Sequence, residues 1–277
     1  MLAHTGGLGH FGNSQELNVW SVIMTESPLS EVEQNIDPFK AYMSNGFSQV
    51  QGWSGNRRSV EFNACFRALF SETGETGGVC EIGVHHGKYL IALHNIFYGR
   101  RSLGIDLFDN QGANVDGSGR GDINICQENI LKFAREPELV LLRASDSTAL
   151  SQKDLDDITL EFGKFAILSV DGGHTKLHIC IDLDNATKLV SDKGIVIVDD
   201  FFHPDWPEVT EGLYHSISTQ RTYFVPFLIT RKKMYLCHLS RQSKFSKFVV
   251  DNRGTYVCKH VRFAGWNVPS INFGSEY

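Results

Sequence analysis

Five short apolar runs punctuate the middle of the chain, at Val79 to Gly83, Ser102 to Leu107, Leu139 to Ala144, Phe165 to Val170 and Ile195 to Val198. They are short for helices and near-continuously apolar, the pattern of strands buried on both faces of a parallel sheet. Between and after them, Lys88 to Tyr98, Ile123 to Ala134, Lys176 to Ser191 and Glu208 to Thr219 carry apolar residues at roughly helical intervals. Gly194, just after Lys193, reads as the C-terminal cap of the third of these helices. Parallel strands joined by crossover helices follow. The pattern then changes: Thr222 to Thr230 and Met234 to Leu239 are strand-like runs separated only by Arg231-Lys232-Lys233, too short for a crossover and right for an antiparallel hairpin. Pro226 places the first of them at an edge or a bulge. The expected fold is α/β, a doubly wound, mostly parallel seven-stranded sheet with an antiparallel terminal hairpin.

The rest of the chain is arranged around that sheet. Residues 1–30 are rich in Gly, Ser, Asn and His and lack periodicity, so they are expected to form a mobile arm or irregular cap. Phe39, Tyr42, Met43 and Phe47, then Phe62, Phe66, Leu69 and Phe70, predict two helices with a turn at Gly52-Trp53-Ser54-Gly55. The division read from the sequence is an arm and helical cap over residues 1–76, a ligand-binding core over 77–251, and an extension over 252–277 that adds a strand or covers an edge. A formal charge of -6 without a long basic block argues against nucleic acid or a membrane surface as the main partner and favours a small molecule. Six cysteines without C-x-x-C spacing read as reduced packing thiols. No basic, apolar leader opens the chain, and no apolar run approaches the roughly 20 residues that span a bilayer. The expected location is cytoplasmic. Asn185-Ala186-Thr187 matches a glycosylation sequon but falls inside a predicted helix and is discounted. Homo-oligomerisation is left open by the sequence.

Two strands end in acids: Val170-Asp171-Gly172-Gly173-His174 and Val198-Asp199-Asp200-Phe201. In an open parallel sheet the ligand crevice lies beyond the carboxyl ends of the strands. Asp171, Asp199 and Asp200 there suit a hard cation held by oxygen, such as Mg²⁺, which keeps some water and leaves positions for substrate oxygens. At the end of the first strand, Glu81-Ile82-Gly83-Val84-His85-His86-Gly87 is a glycine turn where a ligand can approach the backbone. Glu81 is costly to bury without a partner. Asp106 ends the second strand about 20 residues beyond the turn, where an acid accepts hydrogen bonds from ribose hydroxyls. Ser145 and Asp146 follow the third strand, where an adenine edge could lie, although both residues also serve as N-caps. The polar loop from Asp109 to Asp122 suits a lid, and Trp53 and Trp206 suit an apolar wall for a substrate.

The combination of Glu81-x-Gly83-x-x-x-Gly87, Asp106 and the terminal hairpin resembles the class I S-adenosylmethionine-dependent methyltransferases, over roughly Val79 to Leu239. The resemblance implies a Rossmann-like methyltransferase fold whose seventh strand is antiparallel, with Glu81, Gly83, Gly87, Asp106, Ser145 and Asp146 serving the cofactor. Within that superfamily, Asp171, Asp199 and Asp200 look like the metal ligands of the catechol-type and macrolide-sugar O-methyltransferases. Asp199-Asp200-Phe201-Phe202-His203-Pro204 is closer to the sugar-modifying enzymes than to the catechol type, which usually has an Asp-Asn pair. The implied activity is methyl transfer from S-adenosylmethionine to a hydroxyl of a sugar or natural-product intermediate, with metal-assisted deprotonation. His174 sits where the catechol-type enzymes carry a basic residue and is the expected base, with Asp171 and His203 in reserve. Two rivals stand beside this reading. An NAD-dependent oxidoreductase would also use Asp106, but His85 obstructs the middle of its glycine fingerprint. A non-catalytic binding protein would retain the fold alone.

Overall fold

A computed structural model of the chain describes residues 36–274. The predicted arm over residues 1–30 lies outside the described residues. The compact unit that carries the fold begins at Asp37. Its first helix, α1 (Pro38–Ala41), starts at an N-cap whose Asp37 carboxylate accepts the Phe39 N–H at 2.9 Å, satisfying a donor that the first turn leaves unpaired. Asn56 caps α2 (Arg57–Phe62) in the same way. The third helix, α3 (Phe66–Thr73), stops at Gly74 in the left-handed region.

Strands and helices then alternate through β1 (Val79–Ile82), α4 (Lys88–Ile96), β2 (Ser102–Asp106), α5 (Ile123–Phe133), β3 (Val140–Ala144) and α6 (Gln152–Phe162). They continue through β4 (Phe165–Val170), α7 (Lys176–Leu189), β5 (Val190–Val198) and α8 (Pro207–Ser218). The chain closes with β6 (Phe224–Ile229), β7 (Met234–His238), α9 (Gln242–Asp251), β8 (Val257–Phe263) and β9 (Trp266–Asn272). The sheet order is β3-β2-β1-β4-β5-β7-β6-β9-β8. Its first five strands run parallel, and β7 is antiparallel to both β5 and β6.

The mostly parallel sheet and its hairpin are as expected, but the sheet has nine strands rather than seven. The extension past Asn252 supplies β8 and β9 as a second hairpin, and β9 joins β6 through Ile229 and Ser270. Pro226 marks a register shift between β6 and β7, the bulge its missing N–H suggested. Gly194 is a correction. It lies inside β5, so close to the neighbouring strand that a Cβ would come 2.8 Å from the Ala166 carbonyl oxygen. The strand therefore begins at Val190, where the helix was expected to continue.

Side chains alternate across the sheet. Ile167, Ile195, Ile197, Tyr235 and Cys237 enter the core beneath α1–α5 and α9, while Leu168, Val196, Val198, Met234 and Leu236 enter the core beneath α6, α7 and α8. Along β1, β2 and β4 both faces are buried, which accounts for their continuous rather than alternating apolar runs, whereas β3 at the sheet edge is only half-buried. The order reverses between β1 and β4, where the crossovers leave to opposite sides, so the carboxyl ends of these strands open a crevice.

Candidate active site

The crevice is a cleft of about 500 Å³. One half is built on the ends of β1, β2 and β3. At Gly83, φ is +85° and a Cβ would lie 1.9 Å from the Asp171 carbonyl oxygen, so only glycine fits. Asp106 holds this turn: its Oδ2 accepts the Val84 and His85 N–H groups, each at 2.7 Å, and its Oδ1 accepts the Phe108 N–H at 2.7 Å. Asp146 Oδ1 accepts the Thr148 N–H at 2.8 Å and its hydroxyl at 2.7 Å. Glu81 is buried, its Oε2 has no partner among the described residues, and burial pushes its pKa well above the usual carboxylate range. Glu81, Gly83, Asp106, Ser145 and Asp146 all line the cleft. Gly87 does not. It starts α4 at a φ of +88°, and a Cβ there would meet Cys126 Sγ at 3.2 Å, which makes it a packing position between α4 and α5 rather than a cofactor contact.

The other half is built on β4 and β5. The Asp171 N–H bonds to the Ile82 carbonyl at 2.8 Å and the Asp199 N–H to the Val170 carbonyl at 3.0 Å, so the strand ends stay side by side. Asp171, His174 and Asp200 each offer a ligand atom within 4.8 Å of the others. Asp199 is a correction to the expected metal triplet. Its Oδ2 is ion-paired with Lys233 Nζ, both side chains being buried, and its Oδ1 accepts the Asp200 N–H at 2.8 Å. Asp200 sits in the left-handed region at φ 52°, which turns its side chain away from Asp199 and toward His174.

Lys233 Nζ also lies 4.3 Å from the centroid of the Tyr89 ring. Burial alone would depress its pKa, but the charges of Asp199 and Asp171 outweigh burial and raise it. Burial and the charge of Asp199 push the Asp171 carboxyl well above its ordinary range. The acids here thus outnumber the one buried cation that faces them.

His174 is fixed on several sides. Its ring stacks on Trp206 at 4.4 Å with an interplanar angle of 16°. Its Nε2 lies 3.2 Å from Asp200 Oδ2, and its Nδ1 lies 2.9 Å from Asp116 Oδ2 and 3.1 Å from Ser118 Oγ. Burial would lower its pKa, and the hydrogen bonds and charges of Asp200 and Asp116 reverse this and raise it. Trp53, Trp206 and His203 line the cleft as well.

Sequence reading missed Asp116 and Lys233. Lys233 had a signal, a cation entering a buried strand, of the same kind as Glu81. Asp116 had none, because nothing in the sequence ties it to His174.

Residues 80–201 match the family described as a methyltransferase domain. No curated protein matches the chain. Among solved structures, the O-methyltransferase NovP is similar at 17% identity and a TM-score of 0.51, over 65% of this chain and 79% of that one. The MycE methyltransferase from the mycinamycin biosynthetic pathway, in complex with Mg and SAH, is similar at 16% identity and a TM-score of 0.50. That match covers 73% of this chain and 55% of MycE, so this chain spans about half of that relative's length. At these identities the two structures share the fold with this chain. Residues 80–201 thus match a methyltransferase domain, and the cleft at the sheet's switch point lies within a fold that this chain shares with NovP and MycE.

Proposed function

We propose that this chain methylates a hydroxyl oxygen of a small molecule, a sugar or natural-product intermediate, with S-adenosylmethionine as donor and a divalent cation such as Mg²⁺ at the acceptor. The observation that carries this reading is the meeting of Asp171, His174 and Asp200 in the same cleft as Glu81, Asp106 and Asp146. The cofactor half fits its group: the Gly83 backbone admits no side chain, and one buried oxygen of Glu81 has no partner among the described residues. The acid half fits a cation by its donors. With Asp199 committed to Lys233, Asp171 and Asp200 are the two carboxylates left to hold it, a number Mg²⁺ sites commonly use.

Bound S-adenosylmethionine supplies a sulfonium methyl group, and a divalent cation supplies charge that favours the ionised form of a hydroxyl. The chain's residues do the rest. His174 takes the hydroxyl proton at Nε2, the ring nitrogen that faces Asp200. Trp206 holds the imidazole plane by stacking. The backbone at Gly83 and the acids of the first half orient the donor, and fixed alignment of this kind can supply several kcal/mol of the barrier.

NovP is an O-methyltransferase and MycE a methyltransferase seen with Mg and SAH, which supports oxygen as the acceptor atom and Mg²⁺ as the ion. No helix among the described residues is long and apolar enough to cross a membrane. Calorimetric titration with S-adenosylhomocysteine and, separately, NADH tests the cofactor class. Binding of the first alone is expected; binding of NADH alone would overturn the methyltransferase reading. A screen of hydroxylated acceptors should then give methyl transfer that EDTA abolishes and Mg²⁺ restores, and that Asp200→Asn lowers at least tenfold. Turnover unaffected by EDTA would remove the cation from the proposal.

A further inference from the structure

The glycine-bearing loop between β2 and α5 sends one side chain across the cleft. Asp116 Oδ2 accepts two hydrogen bonds from a single residue, the backbone N–H of His174 at 2.8 Å and its ring Nδ1 at 2.9 Å. Asp116 Oδ1 is filled from within the loop, by the Ser118 N–H at 2.9 Å and its hydroxyl at 2.5 Å. Asn114 tightens the same turn, accepting the Gly117 N–H at 3.0 Å and donating to the Ser118 carbonyl at 2.6 Å. An acid that served only to shape its loop would bond only within the loop. One oxygen of Asp116 instead reaches a residue 58 positions on, and the Asp116 side chain is only 9% exposed.

A carboxylate can only accept, so the nitrogen facing it must carry the proton. Nε2 faces the Asp200 carboxylate at the longer distance of 3.2 Å, whereas Asp116 also holds the His174 backbone, so Nδ1 keeps its proton and Nε2 is the nitrogen at which the ring gains or loses one. We propose that Asp116 is a positioning residue for His174: it fixes the ring's orientation and tautomer, so that the 109–122 loop completes the base. The inference rests on the reading of His174 as the base. The loop is then part of the machinery of proton transfer and not only a cover over the acceptor. The arrangement has the general form in which a base is oriented by a third group, here delivered by a segment remote in sequence.

The test uses the ring itself. Imidazole nitrogen NMR of the full chain, with the His174 signals assigned by His174→Gln, should show a low-field, slowly exchanging Nδ1 proton. Asp116→Ala should abolish that signal and raise amide exchange across residues 114–119 about tenfold or more. Asp116→Asn, which keeps an acceptor oxygen, should restore part of the signal. Asn114→Ala breaks bonds inside the loop without touching the ring and should leave the Nδ1 signature in place, which separates positioning from loop shape. An Nδ1 signal that survives in Asp116→Ala would overturn the proposal. S-adenosylhomocysteine calorimetry on the same samples keeps the two readings apart. Its failure would remove the methyltransferase reading, and the ring signal would still decide whether Asp116 holds His174.

Discussion

The two halves of the cleft handle negative charge in opposite ways. At the ends of β2 and β3 the acids are satisfied by backbone N–H groups: Asp106 takes three, from Val84, His85 and Phe108, and Asp146 caps the turn at Thr148. At the ends of β4 and β5 the acids face one another and are balanced by side chains from other elements, Lys233 for Asp199 and His174 for Asp200. The first arrangement is cheap and rigid, since a carboxylate bonded to N–H groups needs no counter-ion. The second holds buried charge in a balance that one lost partner upsets. That contrast suits the proposed division of labour: one half holds the donor in place, and the other keeps unspent negative charge for a cation and a proton.

The sharpest way to break the comparison is Lys233→Met. It leaves Asp199 buried and unpaired, and should cost about 3–5 kcal/mol in urea unfolding. Adding Asp199→Asn to the same chain should recover part of the loss; a single variant within about 0.5 kcal/mol of wild type would show that the pair does not carry the acid half.

The next effect is one of pH. Asp182, buried on α7, is pushed up to about 7, chiefly by burial and also by the charge of Asp146. A folded-state pKa above the unfolded one means that its contribution to stability is complete below the unfolded value of 3.8 and is lost as pH rises through about 7. Wild-type stability should therefore decline relative to Asp182→Asn between pH 4 and 7, by roughly 2–4 kcal/mol. Parallel curves for the two proteins would show that Asp182 titrates normally.

In the cofactor half, Gly83→Ala should cost more than about 1 kcal/mol and weaken S-adenosylhomocysteine binding strongly, because the added methyl collides with the Asp171 carbonyl. Unchanged affinity would mean that the turn does not seat the donor. The smallest change is expected at Asp146→Ala, about 1 kcal/mol for a lost cap, read in a thermal melt. A loss as large as that of Lys233→Met would erase the distinction between the halves.

The contrast also explains what could be read in advance. The partner of Asp146 at Thr148 and that of Asp106 at Phe108 lie two residues away, so local rules for turns and caps reach them, whereas the Val84 and His85 N–H groups that Asp106 also holds lie 22 and 21 positions back. The partner of Asp199 lies 34 positions on and that of Asp116 lies 58, and no local rule joins such positions. The same holds for the fold. Two helices escaped prediction although they carried signals: a capping box at Ser151 and Asp154 opens α6, and Phe245 and Val249 line the buried side of α9. Gly194 was misread because a glycine after a helical run looks like a cap, whereas here it lets two strands approach.

The parallel core, the antiparallel hairpin, the glycine turn and the acids at the strand ends were legible in the amino-acid order, because burial on two faces and the ends of strands leave periodic and punctuated patterns. The folded arrangement shares those acids out. It paired Asp199 with Lys233, left Asp171 and Asp200 together, and brought Asp116 to His174, because the balance of buried charge depends on which distant side chains the fold delivers to the same few ångströms.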